Sequence, residues 1–462
     1  MRRLAVTLFV LSVGLVPTRA QDNGGDLGTR RARAMDRAID WLGKQQQSDG
    51  HWDYDDKPFA IEGMKHMVSG CTALACYALL KAGVEPTDAR IEKGFNAFRK
   101  APLEQPYSVG CILLAIEARY DWEPPFYEED PGTHEKEPGP RKVAPPGGDM
   151  DLARKCADFL VKAQTPEGSW RYGPSRGSPV TRNDASHPQY ALLGLDAAER
   201  LGLEVNREVY AKAIPFYLEG QEVDGPEVPS FSVPSADHSI AELRAIEKEI
   251  KDRLAKINEG FKGRKPGEPD SDGHVKEDLV NAAEQDAAKK VFTTTEKLPG
   301  MHARGFPYAT KESDEGKEKS SSGSMTASGL VCVFVCKTHL DGTPAWDKVK
   351  TKANQALRDG AAWLAKNWTV DRNPNRGFHQ DYYLYAVERA GVLNLLPRFG
   401  GHDWYAEGCQ QFLKQQAPDG SFDCGKRTTV GPVVDTMFAL LFLARGTTPV
   451  IKLPEHVITG QH

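Results

Sequence analysis

A short run near residue 380 holds the side chains best suited to proton transfer. His379, Asp381, Tyr382 and Tyr383 bring an imidazole, a carboxylate and two phenols together. Such groups donate or abstract protons when they line a cavity. The same residues also suit the start of a helix, where Asp381 would cap backbone amides and His379 would pack against its neighbours. Both interpretations stay open from the sequence.

Two other predicted helix starts carry comparable side chains. Asp184, His187, Gln189 and Tyr190 open one helix, and Asp435 opens another. Asp184 is equally an ordinary N-cap. If these helix starts share one rim, their polar groups form one site. The candidate catalytic residues are therefore His379, Asp381 and Asp435, and the candidate ligand-binding residues are His187, Tyr190, Tyr382 and Tyr383.

Residue spacing gives metal and cofactor chemistry little support. His187, His379 and Asp381 are the one set that could ligate zinc, but they lack the short ligand pairs typical of zinc sites. We predict no metal and no cofactor.

The spacing of apolar residues predicts the elements that position these groups. Twelve segments repeat at the helical period and none alternates with a period of two, so we expect an all-α chain. These helices pair into six hairpins. They lie near 28–46, 62–82, 87–100, 107–120, 150–163, 186–201, 206–219, 322–338, 346–366, 379–394, 402–415 and 432–445.

Successive predicted helices differ in polarity. The even-numbered ones are apolar on most sides, as at 69–80 and 434–443, whereas the odd-numbered ones carry a charged face. A helix that is apolar on most sides is buried on most sides. We therefore expect an inner ring of even-numbered helices inside an outer ring of odd-numbered ones.

A loop motif, Gln-x-x-(Asp/Glu)-Gly-x-aromatic, recurs between helices. Complete copies start at Gln46, Gln164 and Gln416, and a fourth starts at Gln221 and resumes with Gly-Phe at 305–306. The glycine permits a left-handed turn after a helix. The glutamine can bond backbone groups of the next helix, so we predict that the motif fastens hairpins together and does not catalyse.

Residues 226–304 therefore interrupt the fourth copy as an insertion. They contain two charged helices, at 241–258 and 276–290, around a segment rich in Pro and Gly. A solvated excursion, a protruding hairpin and a surface for a protein partner all fit this composition.

The start of the chain predicts export. Arg2 and Arg3 precede an apolar stretch at 4–16 that is too short to span a membrane. We predict a signal peptide at 1–20 and a single secreted or periplasmic domain at 21–462. No later stretch suits a membrane span. The net charge of −5, without a basic stripe, argues against a nucleic-acid partner. The eight cysteines fit either small buried residues or one or two disulfides.

The loop motif between helical hairpins resembles the repeats of squalene-hopene and oxidosqualene cyclases and of protein prenyltransferase β subunits. The resemblance covers residues 30–225 and 300–445. The segments 379–389 and 400–405 are similar to an exported branch of that superfamily. The resemblance implies an (α/α)6 toroid of six helical hairpins around a central apolar cavity, with 226–304 as a charged helical insertion.

The catalytic motifs of these families are incomplete in this chain. The cyclases protonate their substrate with the central acid of an Asp-x-Asp-Asp-Thr motif at the start of an inner helix. In context, Asp435 and Thr436 match the end of that motif, and Val434 stands in place of the acid. A literal Asp-x-Asp-Asp match lies at 53–56, directly after a loop motif, and it is either a solvated acidic loop or a proton donor. Prenyltransferases bind zinc through Asp-x-Cys and a distant His, and this sequence contains no Asp-x-Cys.

The sequence thus predicts a squalene cyclase-like and prenyltransferase-like repeat protein whose catalysis stays open. We expect it to bind an apolar small molecule or an extended polymer in its central cavity. The alternative is an enzyme that acts on isoprenoid or polysaccharide through the His/Asp/Tyr rim. The residues expected to line the cavity are Tyr77, Tyr107, Tyr190, Met325, Tyr382 and Phe438.

Overall fold

The computed structural model describes residues 26–54, 67–123, 141–171, 186–265, 267–292, 298–308, 320–423, 431–454 and 457–458. The predicted signal peptide at 1–20 lies outside these residues, as do Asp55, Asp56 and Asp184. The described part is mostly helical, which confirms the all-α class. Its strands are two antiparallel pairs of two residues each, β1 (Asp121–Trp122) with β2 (Arg141–Lys142) and β3 (Glu227–Val228) with β4 (Met301–His302).

The helices follow the predicted order along the chain. Two one-turn helices, α8 (Pro234–Asp237) and α12 (Pro344–Asp347), escape prediction because four residues show no helical period. The helices are α1 (Leu27–Lys44), α2 (Val68–Lys81), α3 (Ala89–Phe98), α4 (Pro106–Tyr120), α5 (Gly147–Ala163), α6 (His187–Arg200), α7 (Glu208–Gly220), α8 (Pro234–Asp237), α9 (Ile240–Gly260), α10 (Lys276–Phe292), α11 (Gly323–Leu340), α12 (Pro344–Asp347), α13 (Lys350–Lys366), α14 (Gln380–Leu393), α15 (Trp404–Gln415) and α16 (Gly431–Leu443).

Six of these helices contact one another in a closed cycle. Helix α2 contacts α4, α4 contacts α6, α6 contacts α11, α11 contacts α14, α14 contacts α16, and α16 contacts α2. They are buried on almost every side, as expected for an inner layer.

Helices α4 and α6 approach each other at backbone distance. A Cβ added to Gly110 would lie 2.2 Å from the carbonyl oxygen of Tyr190, and one added to Gly194 would lie 2.8 Å from the Cα of Gly110. These two glycines let the helices cross more closely than any side chain would allow.

The amphipathic helices lie against this cycle from outside. Helix α3 packs on α2, α5 on α4 and α6, α7 on α11, and α13 on α11 and α7. At the chain ends, α1 packs on α15 and α16, and α15 also contacts α14. Each buries one stripe of apolar residues and leaves its charged face in water.

The loop motif joins neighbouring hairpins through its glutamine. The side-chain amide of Gln46 donates to the carbonyl oxygens of Gly50, in its own loop, and Arg90, at the start of α3, both at 2.9 Å. The indole N–H of Trp52 donates to Leu42 at 2.8 Å. Gly50 has a φ of 96°, so it supplies the left-handed turn that the sequence predicted.

The other copies repeat this geometry. Gln164 donates to Val209 at 2.8 Å, and Gln416 donates to Ala34 at 2.7 Å. Gln221 donates to Ala356 at 3.1 Å and to Arg304 at 3.0 Å. The bond from Gln221 to Arg304 spans residues 226–303. It corresponds to the bond from Gln46 to Gly50, because Arg304 and Gly50 each lie two residues before the aromatic residue of the motif.

Residues 226–304 dock on the rest of the chain through one face. Helices α9 and α10 pack together, and their apolar residues form a cluster with the C-terminal segment, where Ile250 and Val291 join Ile451. At the base, the buried Lys337 ammonium donates to the carbonyl oxygens of Ser235 and His238, both at 2.7 Å. A freely solvated excursion is therefore wrong for this face, although the opposite face is exposed and charged.

Two further expectations bear on the described residues. No described helix is both long and apolar enough to cross a lipid bilayer. The seven described cysteines are all buried and free of disulfides, each surrounded by apolar side chains.

Candidate functional site

A cavity of about 180 Å³ opens at one end of the inner helices. All six of them contribute residues from their first turns or from the positions just before them, so the cavity lies where their N-termini converge. The described residues that line it are Tyr54, Met67, Leu74, Tyr107, Ser186, Tyr308, Ser324, Met325, Arg376, His379, Tyr382, Val434 and Phe438.

The described lining is aromatic and apolar, with one cation and no acid. Arg376 supplies the cation, and its guanidinium lies 4.4 Å from the ring centroid of Tyr308 and 5.2 Å from that of Phe378. Helix N-termini carry partial positive charge as well. Among the described residues, the charged side chain and the helix ends that face this cavity are therefore positive.

His379 is the candidate catalytic residue that reaches the cavity. It is the N-cap of α14 and adopts a left-handed backbone, with φ 60° and ψ 46°, which is unusual for a residue other than glycine. Burial, with a smaller contribution from Arg376, lowers the pKa of His379 to about 4. The imidazole is thus neutral at pH 7 and can accept a proton or a hydrogen bond.

Asp381 and Asp435 lie behind the cavity wall. Asp381 is in the first turn of α14, and Asp435 follows the first turn of α16. Both are almost completely buried, but neither lines the cavity. The neighbouring Thr436 hydroxyl accepts from the backbone N–H of Phe422 at 2.9 Å, so it belongs to a loop motif. Val434 lines the cavity, at the position where the cyclase resemblance would place a proton donor.

The predicted ligand-binding residues separate into two groups. Tyr382 lines the cavity, whereas His187, Tyr190 and Tyr383 are buried outside its lining. Tyr383 packs beside Gly323, where an added Cβ would come within 2.5 Å of its ring.

The expected cavity lining is correct at four of six positions. Tyr107, Met325, Tyr382 and Phe438 line the cavity as predicted. Tyr77 does not, because its hydroxyl donates to the carbonyl of Gly446 at 2.9 Å, well away from the opening. Tyr190 forms part of the layer beneath the cavity.

Several lining residues were missed by sequence reasoning. Tyr54 and Tyr308 each stand two residues after the aromatic of a loop motif, at Trp52 and Phe306, and this spacing is a signal that could have found them. Arg376 lies in the loop before α14 and has no such signal.

The floor of the cavity is a second layer of aromatic and polar side chains. Three lining residues contact it from three helices. The ring of Tyr107 lies 3.8 Å from that of Tyr190, and the ring of Phe438 stacks 5.8 Å from that of Tyr385. The hydroxyl of Tyr382 donates to the side-chain oxygen of Gln189 at 3.2 Å.

Arg389 occupies the centre of this floor and is 1 % exposed. Its guanidinium donates to the side-chain oxygen of Gln189 at 3.1 Å and to the hydroxyl of Tyr190 at 3.2 Å. It also lies 4.0 Å from the ring centroid of Tyr385, in cation–π contact. Among the described carboxylates, none forms an ion pair with it.

A larger groove of about 530 Å³ lies on the other side of the start of α2. Polar side chains such as Asp49, His51 and Lys100 line it, and it contains none of the predicted site residues. We favour the central cavity as the functional site because side chains from all six inner helices converge there.

The zinc set considered from the sequence is not assembled among the described residues. His187, His379 and Asp381 do not bring their ligand atoms together. The described group that does so is Asp270, Asp272 and His274, in the exposed turn between α9 and α10. Exposed carboxylates meet in this way without any ion, so we assign no metal site.

Comparisons with known proteins give low similarity. No protein-family model and no curated protein matches the chain. A variant of the type II terpene cyclase MstE from Scytonema, solved with merosterolic acid A, is 14% identical, with 91% of this chain and 97% of that chain covered and a TM-score of 0.28. A second variant, solved with geranylgeranyl dihydroxybenzoate, is 11% identical over 91% and 98%, also with a TM-score of 0.28. A protein from Actinoplanes is 15% identical over 90% and 100%, with a TM-score of 0.26.

Proposed function

We propose that this protein binds an apolar ligand in the cavity at the N-terminal ends of its inner helices. The observation that carries the proposal is the lining: aromatic and aliphatic side chains from five inner helices and their flanking loops face one space. Its polar groups are tyrosine hydroxyls, two serines, His379 and Arg376. Water is poorly held in such a space, and an apolar group that replaces it is stabilised by the hydrophobic effect.

The architecture that we infer is an (α/α)6 toroid. The closed cycle of six buried helices, with amphipathic helices outside it, supports this arrangement. The bond from Gln221 to Arg304 supports an insertion at 226–304 within a single domain, because the loop motif keeps its geometry across the interruption.

An isoprenoid-like ligand suits the cavity better than a polysaccharide. Sugars are bound by many hydrogen-bonding groups in an open groove, whereas this lining is aromatic and contains one charged side chain. The positive field beside Arg376 also tolerates a polar or anionic end on the ligand. Apolar small molecules are therefore the proposed partners, and 226–304 remains a proposed protein-contact surface.

Catalysis by His379 is the second candidate function. A left-handed backbone at a residue other than glycine costs free energy, and such strain is concentrated at functional sites. The neutral imidazole in the cavity could abstract a proton from a bound ligand. Asp381 and Asp435 would then act on the orientation of the helix starts and not on the ligand.

Native mass spectrometry of protein purified from its producing cells tests ligand binding. We expect a co-purifying apolar molecule or binding of added geraniol. Met325→Trp should weaken geraniol binding at least tenfold because the larger side chain fills the cavity. Val223→Trp is the matched control, since Val223 is 83 % exposed. Equal binding by both variants would place the ligand elsewhere.

The same ligand also tests catalysis. We expect His379→Ala to bind it with little change. If the wild-type chain converts the ligand and this variant does not, His379 is catalytic. If the wild-type chain leaves the ligand unchanged over hours in both its mass and its chromatographic retention, the enzyme hypothesis fails and the binding function stands.

We further propose that the mature chain begins near residue 21 in the periplasm or outside the cell. The proposal rests on the charged and apolar pattern of residues 1–20. N-terminal sequencing of protein from the producing cells would test it.

A further inference from the structure

We propose that Arg389 limits the depth of the cavity and so restricts its ligand to a short apolar group. This inference rests on the proposed ligand-binding function and deepens it. It names the size class of the ligand and the residue that sets it.

The volume of the cavity gives the first argument. At about 180 Å³ it is far smaller than the cavities that enclose drug-sized molecules. An apolar cavity of about 150 Å³ in another protein holds benzene, so this one accommodates about six to ten carbon atoms. A longer chain would have to pass through the floor or extend out of the opening, where it gains no burial.

The contacts of Arg389 make the floor resistant to such passage. Its charge is permanent, and it has hydrogen bonds to Gln189 and Tyr190 and the ring of Tyr385 around it. An apolar chain entering this layer would break these contacts and offer none in return. Because the guanidinium is almost completely buried, water could not replace them either.

The floor also has a single centre. Three lining residues contact three second-layer residues: Tyr107 contacts Tyr190, Tyr382 contacts Gln189, and Phe438 contacts Tyr385. All three second-layer residues contact Arg389. Removal of one tyrosine therefore leaves the other two sides in place. Removal of the arginine removes the group on which they converge.

The experiment compares isoprenoid alcohols of increasing length by isothermal titration calorimetry. We expect the wild-type chain to bind geraniol and to gain no affinity for farnesol or geranylgeraniol. We expect Arg389→Ala to bind farnesol about tenfold or more tightly than geraniol, because the additional isoprene unit becomes buried. Tyr385→Ala should shift the preference in the same direction but less, because Arg389 keeps its bonds to Gln189 and Tyr190.

The matched control is Arg358→Ala. Arg358 is a mostly buried cation that bonds to Asp237 and to the carbonyl oxygen of Ala236, away from the cavity. The Arg358→Ala variant should lose about as much stability as Arg389→Ala but keep the wild-type order of affinities for the three alcohols.

The outcomes separate the two ideas. Tighter binding of geranylgeraniol than of geraniol by the wild-type chain overturns the depth limit and leaves ligand binding intact. Wild-type preference retained by both Arg389→Ala and Tyr385→Ala overturns the role of Arg389. If the wild-type chain binds none of the alcohols, the proposed function fails, and the depth limit fails with it. If a variant does not fold, the affinities of the wild-type chain for the three alcohols still test the depth limit.

Discussion

Replacing Gln46 by Met tests whether the loop motif holds hairpins together. The Gln46 amide donates two hydrogen bonds of 2.9 Å, one to Gly50 within its loop and one to Arg90 in the next hairpin. Methionine has a similar length but cannot donate. Each lost bond costs about 1 kcal/mol, so we expect the free energy of unfolding to fall by about 2 kcal/mol.

Urea denaturation followed by circular dichroism measures this loss. The midpoint should fall while the slope stays constant, since the surface exposed on unfolding is unchanged. Gln47→Met is a closely matched control, because Gln47 is exposed and its amide makes one long local bond, 3.3 Å to Gln45. If Gln46→Met costs no more than Gln47→Met, the motif does not fasten hairpins and our account of it is refuted.

Two other perturbations follow from local geometry and charge. Gly168→Ala should destabilise the chain by about 3 kcal/mol or more, because its Cβ would lie 1.9 Å from the carbonyl oxygen of Lys212. Gly202→Ala is the control, since Gly202 has a similar positive φ but open space around it. It should cost only about 1 kcal/mol in the same urea assay. Burial lowers the pKa of His339, but the hydrogen bonds and negative charges of Asp196 and Glu199 together outweigh burial, and the pKa rises from 6.5 to about 9. The resulting stability, about 3 kcal/mol, is complete below pH 6.5 and lost as the pH rises through 9. Thermal melts of wild type and His339→Gln from pH 6 to 10 should therefore converge at high pH, and parallel curves would contradict this assignment.

The sequence was sufficient for the helices and their fastenings because both leave local patterns. Apolar spacing located the long helices, and the Gln-to-aromatic spacing located the loops, including the copy interrupted after Gly225. The direction of side chains on the inner helices was harder to predict. A helix that is buried on all sides has no polar face to mark its lumen side, so Tyr77 and Tyr190 were placed in the cavity and Arg389 was overlooked.

The packing of residues 226–304 on the rest of the chain could not be predicted from the sequence for a related reason. Its apolar face on α9 meets residues such as Ile451 that lie far away in the chain. The charged composition of 226–304 describes the exposed face of these helices and conceals the buried one. Only the tertiary arrangement shows which few apolar residues, among them Leu243 and Ile250, are covered.

The two ends of the inner helices have different contacts: buried charges stabilise the C-terminal ends, and the cavity lies at the N-terminal ends. At the C-terminal ends, Arg200 pairs with Glu117 and Asp196, and His339 bonds to Asp196, so buried charges join α4, α6 and α11. At the N-terminal ends, aromatic contacts surround the cavity, and Arg389 lies between the two regions. We therefore expect Arg200→Met to lower the melting temperature and leave geraniol affinity within about twofold, because no contact of Arg200 reaches the cavity lining. A parallel loss of affinity and stability in this variant would show that the ends are coupled, and the cavity could not then be regarded as an independent site.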